Sequence, residues 1–189
     1  MRLVLASSSP QRRAILAQLA IPFEVVAPQY VEDDPPGVEA EELVRRHAEG
    51  KARSVHRDGQ LTLGVDTAVV LDGRIYGKPV DRDDAARTLR DLSGRTHTVV
   101  SGLCLLGPEL VLDEEATDVT FRELTPEALA AYLASGEWEG RAGAYAIQGL
   151  GGRLVDRIEG DYLNVVGLPG SLLVSVLERQ APKLLQTPR

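Results

Sequence analysis

The chain has 189 residues, of which 43% are apolar and 26% charged, and a formal net charge of −7. That is enough for one domain or two small lobes around a real core, and too acidic for a general nucleic-acid binder, so any basic site must be local. A single cysteine, Cys104, excludes an internal disulfide framework or a cysteine metal cluster; no apolar run nears the ~20 residues that span a membrane, and no signal-peptide pattern is present, so a cytosolic enzyme or regulator without a membrane partner is expected.

Leu3–Leu5 reads as a short buried strand, followed by the serine turn Ser7-Ser8-Ser9 and a helix. Ser9 suits the N-cap and Pro10 the first helical position, where its missing N–H would be unpaired anyway. Ile15, Leu16 and Leu19 form the apolar face. Arg12 and Arg13 fall in the first turn, where the helix dipole favours acids. Free amides, the Ser7 and Ser9 hydroxyls and two guanidinium groups at a helix start make a phosphate site in physical terms; an ordinary solvated cap is the alternative.

A second strand is expected at Phe23–Val26, then an acidic loop, Glu32-Asp33-Asp34-Pro35-Pro36-Gly37, either solvated or helping to hold a divalent cation. Glu39–Arg57 is the longest helical pattern. Lys51 lies on its apolar stripe between Ala48 and Val55, where a lysine must snorkel or meet an anion. His47 and His56 read as packing and surface residues; no His-Glu-x-x-His pattern occurs.

Leu61–Leu71 is a mostly apolar strand with Asp66 in its middle, a residue disfavoured in strands and costly to bury unpaired. Asp72-Gly73 makes a two-residue hairpin turn, returning through Arg74–Tyr76 to Gly77-Lys78-Pro79. Ideal register sets Thr67 opposite Lys78, one residue from Asp66, with the face of Asp66 left open by a possible bulge at Gly64 or Gly77.

Further on, a helix is expected at Asp83–Leu92, stopped by Ser93-Gly94, and strands at Thr96–Leu106 and Leu110–Leu124. Thr125-Pro126-Glu127 opens a helix ended by Gly136. Glu137–Gly152 is rich in glycine around two aromatics and reads as loop and strand closely approaching a ligand, with Gln148 able to read a base edge. A strand at Leu154–Ile158, a turn at Asp161–Pro169, a helix from Gly170 to Arg179 and a flexible tail over 181–189 complete the chain. There is no P-loop and no Gly-x-Gly-x-x-Gly after a strand.

Together, Leu5-Ala6-Ser-x-Ser9-Pro10 with its arginines, Gly50-Lys51-Ala52, Val65-Asp66-Thr67, Gly77-Lys78-Pro79, Leu92-Ser93-Gly94, Ala142–Gly149 and Asn164–Pro169 resemble, in order and nearly end to end, the Maf family of nucleoside triphosphate pyrophosphatases. The resemblance implies an α/β fold: a mixed, curved central sheet flanked by helices, in two lobes with a deep cleft, like the inosine triphosphate pyrophosphatases. It implies one domain over 1–189 that hydrolyses a nucleoside triphosphate to monophosphate and pyrophosphate with Mg²⁺ or Mn²⁺. Asp66 matches the catalytic aspartate and joins Glu32 toward the metal. Lys51, Lys78 and Arg12 match phosphate-binding residues, with Ser7, Ser9 and Arg13 beside them.

Tyr145-x-Ile147-Gln148-Gly149 resembles the branch acting on dTTP and UTP, which Thr67 also supports; a glutamate at 148 would resemble the 7-methyl-GTP branch. Gln11 departs from both, since the first usually has arginine there and the second tryptophan. Modified pyrimidine triphosphates and a homodimer are compatible with the resemblance. A nucleotide-binding regulator of septum formation, without turnover, is the rival expectation.

Overall fold

The computed structural model describes residues 3–35 and 37–186. Its elements follow the expected order: β1 (Leu3–Ala6), α1 (Pro10–Gln18), β2 (Phe23–Val26), α2 (Ala40–Val55), β3 (Leu61–Leu71), β4 (Arg74–Tyr76), α3 (Arg82–Leu92), β5 (Thr96–Leu106), β6 (Val111–Phe121), α4 (Pro126–Ala134), β7 (Val155–Glu159), α5 (Tyr162–Val166) and α6 (Gly170–Gln180). The strands make one mixed sheet in the order β2-β1-β3-β5-β6-β7, with β4 pairing β3. β1 is parallel to both β2 and β3, whereas β3–β4 and β6–β7 are antiparallel.

The chain divides into two compact units. The first comprises Met1–Thr67, Ser101–Glu115 and Gly167–Arg189; the second comprises Ala68–Val100 and Ala116–Val166. β3, β5 and β6 each contribute residues to both.

In the first unit, β1 is buried along its whole length, as a central parallel strand must be. α2 packs on the sheet at backbone distance. A Cβ built on Gly64 would lie 2.0 Å from the Ala48 carbonyl oxygen, and one on Gly102 2.3 Å from that of Val44. Only glycine lets the helix come so close. Cys104 packs there with Ala48, Ala52 and Leu106, and burial pushes its thiol up to about 12. Within the tail expected over 181–189, Pro182–Leu185 forms a 3₁₀ turn with Leu184 buried. Residues 187–189 of that tail lie outside the described residues.

In the second unit, α3, α4 and the surrounding strands enclose an apolar core that includes Leu89, Leu92, Phe121, Tyr132, Trp138 and Tyr145. Asp72 and Gly73 both take positive φ, 51° and 74°, as a primed hairpin turn requires. Residues 137–153 contain no strand. They form two 3₁₀ turns, Ala142–Ala144 and Leu150–Arg153. Two of the glycines there make room for the chain itself: a Cβ on Gly143 would meet Val69 at 2.8 Å, one on Gly151 the Ala146 carbonyl oxygen at 2.5 Å. α5, which the sequence reads as a turn, is a single short helix before Gly167.

Candidate active site

The polar residues singled out in the first unit converge. Ser9 caps α1, its hydroxyl accepting from the Arg12 amide at 3.4 Å and donating to Gln11 Oε1 at 3.0 Å. The helix start is less open than its sequence suggests. Pro10 has no amide, Arg12 N is taken by Ser9 Oγ and Arg13 N by the Ser9 carbonyl, which leaves the Gln11 amide among the first-turn donors for an anion.

Arg12 turns inward. Its Nε donates to the Gly167 carbonyl at 2.9 Å, Nη1 to Ser7 Oγ at 3.3 Å and Nη2 to Thr67 Oγ1 at 3.3 Å. A guanidinium has five N–H donors, so two remain for a ligand. Burial pulls its pKa below the usual arginine value, while the charges of Asp66 and Glu32 oppose the shift. Ser7 is buried and also accepts from the Ser9 amide at 3.1 Å. Thr67 is shared further with Ser101 Oγ at 2.8 Å. Ser101 is fully buried, and sequence reasoning missed it because a lone serine inside the apolar run of β5 looks like packing.

Lys51 meets its anions rather than snorkelling. Its Nζ lies 2.5 Å from Asp66 Oδ1 and 2.6 Å from Glu32 Oε1, with the lysine side chain 10% exposed, Asp66 16% and Glu32 48%. Thus α2, β3 and the acidic loop each bring one charge to a single point. The loop is tied down on both sides of Glu32. Tyr30 Oη lies 3.0 Å from His47 Nδ1, and His47 Nε2 donates to Asp34 Oδ1 at 2.7 Å. His47 is buried, as expected of a packing residue.

The ammonium on Asp66 is therefore that of Lys51, and not the one the hairpin register suggests. The β3–β4 ladder has the expected pairing, Val69 with Tyr76 through Leu71 with Arg74, but ends at Tyr76. Gly77 and Pro79 end it, since Pro79 has no N–H to continue the ladder. Lys78 belongs to the second unit, as does Gln148; both are exposed, and among the described residues neither side chain has a hydrogen-bond partner. The Gly77 carbonyl accepts from Gly143 N at 3.2 Å, tying the Lys78 segment to the glycine-rich one. Arg13 is exposed on α1.

Among the described residues no three His, Cys, Asp or Glu side chains form a ready metal cluster. Glu32 and Asp66 nevertheless present two hard oxygen donors to one cation, the ammonium of Lys51. Such a pair fits an ion that takes one or two carboxylates and completes its shell with water and phosphate. No helix among the described residues is long and apolar enough to cross a membrane.

A mixed sheet flanked by helices, with Asp66 and Thr67 midway along β3, is an α/β frame whose fold is found in a HAM1 protein. The chain matches a HAM1 protein from Coxiella burnetii with a TM-score of 0.50 and 15% identity, over 96% of this chain and 100% of that one. Within that fold, the chain belongs to the family of Maf-like proteins, whose model matches residues 2–180. It is 48% identical over 190 residues to a dTTP/UTP pyrophosphatase of Nitratidesulfovibrio vulgaris, covering 98% of this chain and 90% of the relative. It is 47% identical over 179 residues to a dTTP/UTP pyrophosphatase of Gloeobacter violaceus, covering 93% and 94%. The family and the α/β fold expected from the motifs are those found.

Proposed function

We propose that this chain hydrolyses dTTP and UTP, and modified pyrimidine triphosphates of the same shape, to nucleoside monophosphate and pyrophosphate. The observation that carries the reading is the convergence of Lys51, Asp66 and Glu32 beside Arg12. Two acids and two bases held partly out of water cost stability, and a polyanion with a divalent cation gives that arrangement a use. The names of the relatives supply the substrate class.

Asp66 is the general base: it takes a proton from the water whose oxygen bonds to the α-phosphorus. The bridging P–O bond to the β-phosphorus breaks, and pyrophosphate leaves with the electron pair. Arg12, with its two remaining donors, and Lys51 stabilise the charge that grows on the phosphate oxygens. Ser7, Ser9, Arg13 and the exposed Lys78 bind the phosphate chain. Glu32 and Asp66 would hold Mg²⁺ or Mn²⁺, which when bound supplies Lewis-acid polarisation of the phosphoryl oxygens. Gln148 selects the base, and Thr67 and Gln11 are further specificity residues. Such an enzyme works on the free nucleotide pool and is placed in the cytoplasm.

A panel of dTTP, UTP, CTP and 7-methyl-GTP with Mg²⁺ or Mn²⁺, scored separately for pyrophosphate and orthophosphate, tests this. Pyrophosphate from dTTP and UTP is expected, falling about 10²–10⁴-fold in Asp66→Asn with the fold intact. Retained turnover in Asp66→Asn removes that residue from the chemistry. Orthophosphate as the product refutes the pyrophosphatase reading. Nucleotide binding without turnover refutes the enzyme in favour of a regulator.

A further inference from the structure

The second unit contains a carboxylate that the chemistry above does not use. Glu137 follows α4, and its two oxygens accept separately from successive backbone amides: Oε1 from Leu150 N at 3.0 Å and Oε2 from Gly151 N at 2.8 Å. Hydrogen bonds to an ionised acceptor are among the stronger kinds, and a bidentate pair also fixes direction. Glu137 is itself well placed. Its amide donates to Ser135 Oγ at 3.2 Å, and the indole of its neighbour Trp138 donates to the Leu133 carbonyl at 3.1 Å.

What Glu137 grips is the far side of the turn that carries Gln148. Gly149 N donates to the Ala146 carbonyl at 3.1 Å, so Ile147 and Gln148 are the central residues of that turn. The near side is held from α4 as well, by Tyr132 Oη accepting from Ala146 N at 3.1 Å. Gln148 is thus an exposed apex clamped on both flanks by residues of one helix and the turn after it. A Cβ on Gly149 would lie 2.0 Å from Glu137 Oε1. The φ of Gly149 is −120°, open to any residue, so it is the carboxylate that excludes a side chain there.

A glutamine amide offers both a donor and an acceptor and can flip to suit different base edges. Its power to choose between bases therefore depends on where it is held. We propose that Glu137 is a positioning residue for base selection: its carboxylate fixes the 146–151 turn so that Gln148 meets the pyrimidine edge in one place only. This rests on the reading of Gln148 as the base-selecting residue.

The test compares kcat/KM for UTP and CTP, which differ at the base edge alone, in the Mg²⁺-loaded enzyme. Glu137→Ala and Gly149→Ala, which drives the carboxylate off its amides, are each expected to lower the UTP:CTP ratio about tenfold, through KM for UTP with kcat nearly unchanged. Glu137→Gln keeps one acceptor oxygen and should fall between them and the parent. In Glu137→Ala/Gly149→Ala the new methyl has room, so the double variant is expected to be no worse than Glu137→Ala alone. Gln148→Ala separates the two ideas. If it leaves the ratio unchanged, the base reading fails and the inference with it. If it flattens the ratio while Glu137→Ala and Glu137→Gln keep it, Glu137 is structural only and the inference alone is overturned. Should the alanine variants not fold, the ratio in Glu137→Gln decides, and no change there overturns the proposal.

Discussion

The two units treat buried polarity in opposite ways. In the first, Lys51, Asp66 and Arg12 are charged groups held largely away from water, each answered by an opposite charge or a carbonyl. In the second, the polar residues buried as a whole, Thr88, His97, Thr117 and Asn164, are uncharged. His97 is 1% exposed, lies edge-on to Phe121 and Tyr145, and has its Nε2 2.9 Å from Tyr145 Oη. Burial lowers its pKa to about 4, with Asp118 opposing only weakly. Asn164 donates to the Val99 carbonyl at 3.0 Å and to Thr117 Oγ1 at 3.1 Å. The contrast separates two uses of a buried polar group. One core holds its ions in pairs, and the proposed polyanionic substrate would give them a use. In the other, the uncharged buried groups serve packing and direction.

The contrast breaks most plainly at Lys51. Lys51→Met takes away the ammonium that both Asp66 and Glu32 touch and leaves them only the Arg12 charge, and is expected to cost about 3 kcal/mol or more in a urea titration, with turnover lost. Added Mn²⁺ should recover more stability in this variant than in the parent. A variant as stable as the parent would mean that the charges of the first unit are merely tolerated.

A slightly smaller effect is expected at His97, where the sign of the pH dependence is the point. The unfolded residue titrates near 6.5 and the folded one near 4. Above 6.5 neither state is protonated. Between 6.5 and 4 only the unfolded chain takes the proton, so stability is lost as the pH is lowered across that window, by about 3 kcal/mol in full. Stability curves at several pH values should show this slope, and His97→Phe should remove it while leaving turnover of UTP at neutral pH in place. An unchanged slope would mean that the second core does not keep its histidine neutral.

The helix caps sharpen the comparison most gently. Ser9 caps α1 and Thr125 caps α4, each accepting one first-turn amide. Replacing either with alanine should cost about 1 kcal/mol. Only Ser9→Ala should also slow turnover, because only that cap lies beside Arg12.

Much of this was legible in the chain. Ser9-Pro10 announced α1, Asp72-Gly73 the hairpin, and Asp66 in an apolar strand and Lys51 on an apolar stripe both marked the site. What was not legible is that they belong to each other. Strand periodicity carries register only to the next strand, so it set Thr67 opposite Lys78 and left the face of Asp66 open, whereas the partner of Asp66 comes from a helix whose placement depends on close packing. Ser101 was hidden because one hydroxyl in a strand has no pattern. The contacts of the glycines near Gln148 were not legible because a close approach has the same sequence signature whether the approaching group is a ligand or the chain's own Glu137, Ala146 or Val69.

Gly64 and Gly102 have a consequence for how this protein can vary. They set the clearance between α2 and the sheet, and Lys51 and Asp66 stand on the two surfaces whose spacing they define. A methyl group at position 64 would act as a shim, pressing on the Ala48 carbonyl and prising the helix outward. The ion pair two residues along β3 would open without being touched. A screen for inactive variants should therefore return Gly64 beside Asp66, though it has no chemistry to lose. The tolerance of the proposed catalytic centre is set by two hydrogen atoms where any other residue would place a carbon.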